Sequence, residues 1–274
     1  MERSTLTIQP VEHDSPSILS KAFELLRAFN QTSRVMTLSE LARAANLPKS
    51  TVHRLLARLI DLDAIEQHKH GYRLSLSLLQ LGATTPAAGL RELAAPHLSA
   101  LLNFTGFAAH LGVLRDFDVI CLDKLTPRGR VESLSEIGSR WPVTCTALGK
   151  ALLAHEDFEY LRTALPTPLP MMTPQSVSDF DSLAIELRRT TASGLAYSDG
   201  EFRRGLSCIA APVVVHAAGT QRTVAALSVS FPSGTPHSAK IEGALRHTAG
   251  RLSVDATTHT ASRERWLPAW HGED

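Results

Sequence analysis

The sequence predicts an α+β protein with a small N-terminal winged helix-turn-helix and a larger C-terminal domain of mixed helices and strands. Three observations lead to this fold class. Residues 17–76 contain three amphipathic helical patterns, followed by two short extended segments around a turn. From residue 91 onward, β-branched strand patterns are interleaved with helical ones. The 274 residues, 43% of them hydrophobic, suffice for about two globular domains.

The N-terminal elements carry their own start and stop signals. Apolar residues recur at helical spacing between positions 18 and 29, behind a serine that suits a helix cap. Thr37 and Glu40 have the spacing of a capping box, which opens a second helix. Pro48 suits the first position of a third helix, because its missing N–H would be unpaired there anyway. A turn at residues 68–71 then separates the two extended segments, which predicts a β-hairpin.

The polar side of the third helix, "KSTVHRLLARL", carries charges of one sign. Every formally charged residue between positions 43 and 60 is basic, whereas a solvated helix face usually mixes signs. A DNA phosphate would account for this, since it accepts from helix N-terminal amides and from basic side chains. The hairpin tip "HKHG" adds a basic wing. The residues predicted to contact DNA are Lys49, Ser50, Thr51, His53, Arg54, Arg58, Lys69 and Arg73.

The second domain begins with a helix behind a break at residues 84–86. Strands are predicted in "FAAHLGVL", "DVICLDKL", "LSCIAAPVVV" and "TVAALSVSF", the first two joined by a tight turn. Helices are predicted in "TALGKALLA", "FEYLRTAL", "DFDSLAIELRRTTAS" and "SAKIEGALRHTAGRLSV". The predicted boundaries are an arm at 1–16, the winged helix-turn-helix at 17–76, a linker at 77–90, the second domain at 91–254, and a tail at 255–274 that contains Trp266 and Trp270.

Composition restricts the function further. A net charge of +1 means that any nucleic-acid contact must come from a local basic patch. The three cysteines are widely spaced and form no CxxC motif, so neither a disulfide framework nor a zinc ribbon is expected. The N-terminus lacks the apolar core of a signal peptide, and no apolar run is long enough to span a bilayer. We therefore expect a cytoplasmic protein with no membrane contact.

The sequence predicts no catalytic residue, metal or cofactor. Cys145 or Cys208 beside a histidine would suit a thiol nucleophile, but single cysteines in apolar segments are usually small core residues. His68 and His70 alternate on a hairpin tip, where side chains diverge, and have no third ligand nearby in sequence. The pair Gly149-Lys150 lacks the spacing of a phosphate-binding loop, so a buried helix start is expected there.

Three segments, in order, resemble the IclR family of bacterial transcription regulators. They are "TLSELARAANLPKSTVHRLLARL", "GSRWPVTCTALGKALLA" and "SGLAYSDGEFRRGLSCIAAPVVV" followed by "AALSVS", and the resemblance covers roughly residues 17–252. It implies a winged helix-turn-helix, a linker helix and a GAF-like α/β domain that binds a small effector. It also implies homodimers, often paired into homotetramers, on palindromic double-stranded DNA operators. Repression and activation both fit this pattern.

The resemblance also implies where the effector binds. Ser228 and Ser230 lie two apart on one strand and share a face, and buried hydroxyls need partners. Thr144 stands where relatives commonly have histidine, and a hydroxyl carries no charge near neutral pH. The expected effector is a small carboxylate or an aromatic acid. The residues expected to bind it are Trp141, Thr144, Ala147, Leu148, Ser198, Asp199, Cys208, Ser228 and Ser230.

An alternative function is a small-molecule-binding module whose N-terminal helical unit serves dimerisation only. The unbroken positive charge from Arg43 to Arg58 argues against this alternative, because a helix face that only packs against another copy has no need of one sign of charge.

Overall fold

The structure is a computed structural model that describes residues 17–30, 33–127, 136–217, 219–236 and 239–262. The chain divides into two compact units, residues 1–84 and 85–274. The predicted arm at residues 1–16 lies outside the described residues, and so does the end of the predicted tail with Trp266 and Trp270. None of the helices in the described part is both long enough and apolar enough to cross a membrane.

The first unit is the predicted winged helix-turn-helix. Its described elements are α1 (Ile18–Arg27), α2 (Leu38–Ala44), α3 (Lys49–Asp61), β1 (Ile65–His68), β2 (Gly71–Leu74) and α4 (Ser77–Ala83). Side-chain hydrogen bonds satisfy free amides at the starts of α1 and α2. Ser17 caps α1, and Thr37 and Glu40 form the predicted capping box at α2. Pro48 is the N-cap of α3, whereas the sequence predicted it as the first helical residue. The helix therefore begins one residue later than predicted, at Lys49.

The wing is tied to the helices by one short backbone bridge. Met36 and Tyr72 exchange both backbone hydrogen bonds, at 3.0 Å and 2.8 Å, so Met36 extends the β1–β2 hairpin to a third chain segment. Gly71 stands at this junction with a φ of +144°, and a Cβ there would lie 2.3 Å from the carbonyl oxygen of Met36. Only glycine fits so close an approach, which explains the last residue of "HKHG".

The second unit is an antiparallel sheet with helices on both faces, the expected GAF-like arrangement. Its described elements are α5 (Pro86–Thr105), β3 (Ala108–Arg115), β4 (Asp118–Leu125), β5 (Arg140–Pro142), a 3₁₀ turn (Val143–Cys145), α6 (Ala147–Leu153), α7 (Phe158–Ala164), α8 (Phe180–Ser193), β6 (Ala196–Asp199), β7 (Leu206–Ala217), β8 (Thr220–Pro232) and α9 (Ala239–Ser262). The strand order is β5-β4-β3-β8-β7-β6. Helices α5 and α9 pack on one face, and α6, α7 and α8 lie over the other.

The structure differs from the sequence prediction at the edges of this unit. The two outer strands, β5 and β6, were not predicted, because three or four residues are too few for a recognisable alternation and no hairpin turn marks them as the turn at residues 68–71 marks β1 and β2. Helix α9 runs past residue 254, the predicted end of the domain, as far as Ser262. It continues because Ala256 is fully buried and the Asp255 carboxylate lies 2.8 Å from Nε2 of His97 on α5. The predicted linker, residues 77–90, contains α4, a break at Thr84–Thr85 and the start of α5.

Candidate functional site

Helix α3 separates its residues into an inner apolar side and an outer basic side. Val52, Leu55, Leu56 and Leu59 are buried in the core of the first unit. The outer side is exposed except for Thr51, which is half-buried, and it carries Lys49, Ser50, His53, Arg54 and Arg58. The burial of four apolar side chains fixes which side faces solvent, so the basic residues necessarily share the opposite side.

The turn before α3 and the wing after it present further polar groups. Asn46 adopts a left-handed conformation with a φ of 51°, which ends α2 and lets Leu47 bond back to Ala42. Lys69 is exposed at the tip of the hairpin. All eight residues predicted to contact DNA therefore lie on α3 or on the wing, within one compact unit.

Arg73 is held by a carboxylate instead of standing free for phosphate. Its guanidinium donates two hydrogen bonds to Oε2 of Glu66, at 2.9 Å and 2.7 Å, on the neighbouring strand of the wing. This ion pair lowers the pKa of Glu66 below its ordinary value. The pair braces the hairpin, so a phosphate would have to share or displace Glu66. Arg58 makes only a loose contact with Asp61, at 3.8 Å.

The second unit contains a cavity over one face of its sheet, with a volume of about 690 Å³ including its open mouth. Strand register builds its floor: Ser198, Cys208, Ser230 and Ala108 lie side by side on β6, β7, β8 and β3. A second row places Lys124, His110 and Ser228 next to one another. The remaining walls come from Trp141, the first turn of α6 and the β6–β7 turn.

The structure brings seven of the nine predicted effector residues to this cavity. They are Trp141, Ala147, Leu148, Ser198, Cys208, Ser228 and Ser230. Cys208 and Ser230 also contact each other, with 3.1 Å between Sγ and Oγ.

Thr144 and Asp199 do not line the cavity. Thr144 is 1% exposed inside the 3₁₀ turn, with its hydroxyl 3.8 Å from Sγ of Cys145. Asp199 points away along the edge of β6, where its carboxylate accepts hydrogen bonds from Ser207 and Ser233. Side chains of adjacent residues in a strand face opposite sides of a sheet. Because Ser198 faces the cavity, Asp199 faces away from it.

Sequence reasoning missed the charged and aromatic part of the lining. The additional residues are Ala108, His110, Lys124, Thr126, Thr146, Phe202, Arg203 and Leu206. Alternation offered a partial signal: on β8, the two-residue spacing of Ser228 and Ser230 agreed with the resemblance, and Ala108 and His110 have the same spacing on β3. Which strands lie next to each other was not visible in the sequence.

The charges of the cavity lining are positive. Lys124 and Arg203 are half-buried in it, and none of the described lining residues is an aspartate or a glutamate. Among the described residues, no group of three or more histidine, cysteine, aspartate or glutamate side chains is arranged to hold a metal ion. The lining therefore favours an anionic ligand over a cationic one.

His110 provides an uncharged imidazole in the same cavity. Burial lowers its pKa to about 4, and the positive charge of Lys124 contributes to the lowering. Its Nδ1 lies 3.5 Å from Oγ of Ser230. At neutral pH the ring is neutral and offers a ligand one donor or one acceptor without changing the charge of the cavity.

The buried His110 should make the second unit less stable in acid. The pKa is below the value of about 6.5 for an unfolded histidine, so the unfolded chain takes up a proton first as the pH falls from 6.5 towards 4. The folded state should lose about 3 kcal/mol over this range from this group alone. Urea unfolding of the native protein and of His110→Gln at several pH values measures it. The difference in the free energy of unfolding between the two proteins should change by that amount between pH 7 and pH 4. If the free energies of both proteins changed equally with pH, the prediction would be contradicted.

The Gly149-Lys150 pair is the predicted buried helix start. A Cβ at Gly149 would lie 2.0 Å from the carbonyl oxygen of Val143, so the glycine lets α6 pack directly on the 3₁₀ turn. The Gly149 N–H donates to Oγ1 of Thr146, the cap of α6. Lys150 is fully buried and pairs with Glu201, with 2.7 Å from Nζ to each carboxylate oxygen.

Comparison with known proteins gives matches to both units. Residues 18–69 match the IclR helix-turn-helix domain, and residues 83–254 match the family described as bacterial transcriptional regulator IclR C-terminal. The chain is 29% identical over 269 residues to the HTH-type transcriptional regulator KdgR of Escherichia coli (strain K12), covering 96% of this chain and 95% of KdgR. It is 30% identical over 216 residues to the regulator XynR of the same strain, covering 77% of this chain and 84% of XynR.

Solved structures agree with these matches. An IclR homolog from Microbacterium hydrocarbonoxydans, complexed with 4-hydroxybenzoate, has a TM-score of 0.76 at 28% identity and covers 88% of this chain and 100% of its own. An IclR-type regulator from Alicyclobacillus acidocaldarius has a TM-score of 0.69 at 26% identity, covering 88% and 99%. The chain belongs to the IclR family of bacterial transcriptional regulators, with the family's DNA-binding helix-turn-helix at residues 18–69 and its effector-binding domain at residues 83–254.

Proposed function

We propose that this regulator binds a palindromic operator as a homodimer in the cytoplasm, and that a small organic acid in the cavity of the second unit changes its affinity for DNA. The observation that carries the effector part is the lining of the cavity, which has two cations and no described carboxylate. An acid alters DNA binding only if it binds the DNA-competent and DNA-incompetent arrangements of the dimer with different affinities.

The DNA contacts divide into two kinds. Ser50, Thr51, His53 and Arg54 lie in the first half of α3, where short side chains allow close approach and the longer ones reach base edges in the major groove. Lys49, Arg58 and Lys69 lie around them and bind phosphates, which positions α3 without reading sequence. We assign Arg73 mainly to bracing the wing, since Glu66 holds its guanidinium.

Exposed apolar side chains on the first unit support a dimer. These side chains lie on α1 and around α4, and a second copy of the chain would cover them. Leaving an apolar surface of this kind in water is otherwise unfavourable. Each is between 57% and 78% exposed: Ile18, Leu19, Phe23, Leu76, Leu79 and Leu81. Two copies would place two α3 helices in successive major grooves, about 34 Å apart, which requires a two-fold symmetric operator. Pairing of two dimers into a tetramer is a further part of this proposal.

The proposed effector is a monocarboxylic acid, and an aromatic acid fits the lining well. Lys124 and Arg203 attract the carboxylate, Trp141 and Phe202 offer apolar faces, and the serine hydroxyls accept or donate to a second polar group. The similar Microbacterium protein is complexed with 4-hydroxybenzoate, an acid of this kind. Cys208 then serves as part of the cavity wall and performs no reaction. The dimerisation-only alternative is not favoured, because residues 18–69 match a DNA-binding domain.

One experiment tests both halves of the proposal. An operator is selected from random duplex DNA with the full-length protein, and its affinity is measured by fluorescence anisotropy at several salt concentrations, with and without millimolar organic acids such as 4-hydroxybenzoate. For roughly 6 to 10 phosphate contacts, affinity should fall by about three to five powers of ten between 50 and 200 mM salt. At least one acid should change the affinity for the operator at constant salt. If no duplex is enriched, the operator proposal fails. If an operator is found but no acid shifts it, only the effector proposal fails.

A further inference from the structure

The buried Lys150 stands at the junction of two walls of the cavity. Its side chain is fully buried, and its ammonium contacts the two carboxylate oxygens of Glu201, one oxygen of Glu186 and the carbonyl of Tyr197, which lies at 3.2 Å. An ammonium has three N–H donors, so these partners use all of them. A buried charge with this many fixed partners holds its surroundings in one geometry.

Glu201 belongs to the β6–β7 turn, whose backbone also accepts hydrogen bonds from the side chains of Thr173 and Ser176. Its backbone carbonyl accepts hydrogen bonds from Ser176, at 2.7 Å, and from Thr173, at 3.1 Å. The carbonyl of Gly200 accepts another from Thr173, at 2.7 Å. The two residues that follow Glu201, Phe202 and Arg203, line the cavity. The turn therefore carries one cation and one aromatic ring of the proposed effector site.

Lys150 reaches this turn from α6, whose first turn contributes Ala147 and Leu148 to the cavity. We propose that Lys150 and Glu201 are positioning residues of the effector site: their ion pair fixes the β6–β7 turn against α6 and thereby sets the positions of Phe202 and Arg203. The inference deepens the proposed effector function and rests on it. Neither Lys150 nor Glu201 lines the cavity, so both act on a ligand only through the turn.

Glu186 supplies a matched control. It also contacts the Lys150 ammonium, but it lies on α8, contributes nothing to the described lining, and its side chain is 36% exposed. Glu186→Gln should leave the Lys150–Glu201 pair and the cavity in place. Glu201→Gln keeps the shape of the side chain and removes its charge. The double variant Lys150→Met/Glu201→Leu removes both buried charges together, an exchange that proteins often tolerate, so it covers the case in which the single variant folds poorly.

Trp141 reports on the turn without any ligand. Its ring centroid lies 5.8 Å from that of Phe202, so a loosened turn uncovers the indole. Replacing the other two tryptophans, Trp266 and Trp270, with phenylalanine leaves Trp141 as the single reporter. In this background, acrylamide should quench Trp141 more strongly in Glu201→Gln and in the double variant than in the parent or in Glu186→Gln.

The second measurement is binding of 4-hydroxybenzoate by the full-length protein. Glu201→Gln and the double variant should bind it about tenfold more weakly than the parent, because Phe202 and Arg203 must then be ordered on binding. Glu186→Gln should match the parent. Equal quenching and equal affinity in folded Glu201→Gln and in the double variant would overturn the inference and leave Lys150 a purely stabilising role. If the parent binds no acid, the proposed effector fails, and the quenching comparison alone then supports or overturns the positioning role.

Discussion

Arg54→Ala is expected to lower affinity for the selected operator by about one to two powers of ten, and to reduce discrimination against altered operators. Arg54 is exposed in the first half of α3, on the side opposite the buried Leu55 and Leu56. An arginine that hydrogen-bonds a base edge contributes binding free energy only when the correct base is present. Alanine makes no such hydrogen bond with any base, so the difference in affinity between correct and altered operators becomes smaller. Anisotropy titrations with the operator and with single-base variants at fixed salt measure the effect.

Lys49→Ala and Arg251→Ala separate this role from general electrostatics. Lys49 opens α3 and is expected to bind phosphate, so its loss should weaken all duplexes alike and reduce the salt slope by about one per lost contact. Arg251 is an exposed arginine of α9 in the second unit, and its replacement should change neither quantity. If Arg54→Ala and Lys49→Ala both retained native DNA binding, α3 would not be the recognition helix.

Gly149→Ala is expected to destabilise the second unit by about 3 kcal/mol or more, because its added Cβ overlaps backbone that cannot move aside. The Cβ would lie 2.0 Å from the carbonyl oxygen of Val143 and 2.4 Å from its Cα. Separating α6 from the 3₁₀ turn would also displace Ala147 and Leu148 from the cavity. Urea unfolding followed by circular dichroism measures the stability, and affinity for the proposed effector acid should weaken in parallel.

Gly250→Ala is the control for this substitution. Gly250 is exposed within α9, and a Cβ there would meet nothing within 4 Å. Alanine at such a helical position should stabilise by about 0.5 to 1 kcal/mol, because it restricts the unfolded chain. Opposite signs for the two glycine substitutions are the expected result. A neutral Gly149→Ala would mean that the junction between α6 and the 3₁₀ turn is looser than the structure indicates.

The sequence predicted the first unit nearly completely because its determinants are local. The capping box at Thr37 and Glu40 and the apolar spacing of α3 act within one or two helical turns. Once Val52, Leu55 and Leu56 are buried, the opposite side of α3 is basic by geometry alone. The partner of Arg73 was not predicted, because Glu66 faces it only when the two strands pair in one particular register.

The cavity of the second unit was predicted in part, and the missing part has a common cause. Ser228 and Ser230 were implied by the family resemblance, and their two-residue spacing agreed with it because a strand shows its alternation within its own sequence. Lys124 and His110 enter the cavity because β3 pairs with β8 and β4 pairs with β3, which is a matter of sheet topology. Thr144 does not line the cavity, because it lies buried within the 3₁₀ turn, a placement that its own sequence neighbourhood did not reveal.

The sequence by itself determined the family, the order of the principal helices and strands, and the basic side of α3, since each depends on residues close together in the chain. Only the tertiary structure decided which charges meet. Lys150 and Glu201 are far apart in sequence and form a buried ion pair, and Lys124 of β4 and Arg203 of the β6–β7 turn line one cavity. Such pairings depend on strand order and register, which are set by the packing of the whole sheet and not by any local pattern.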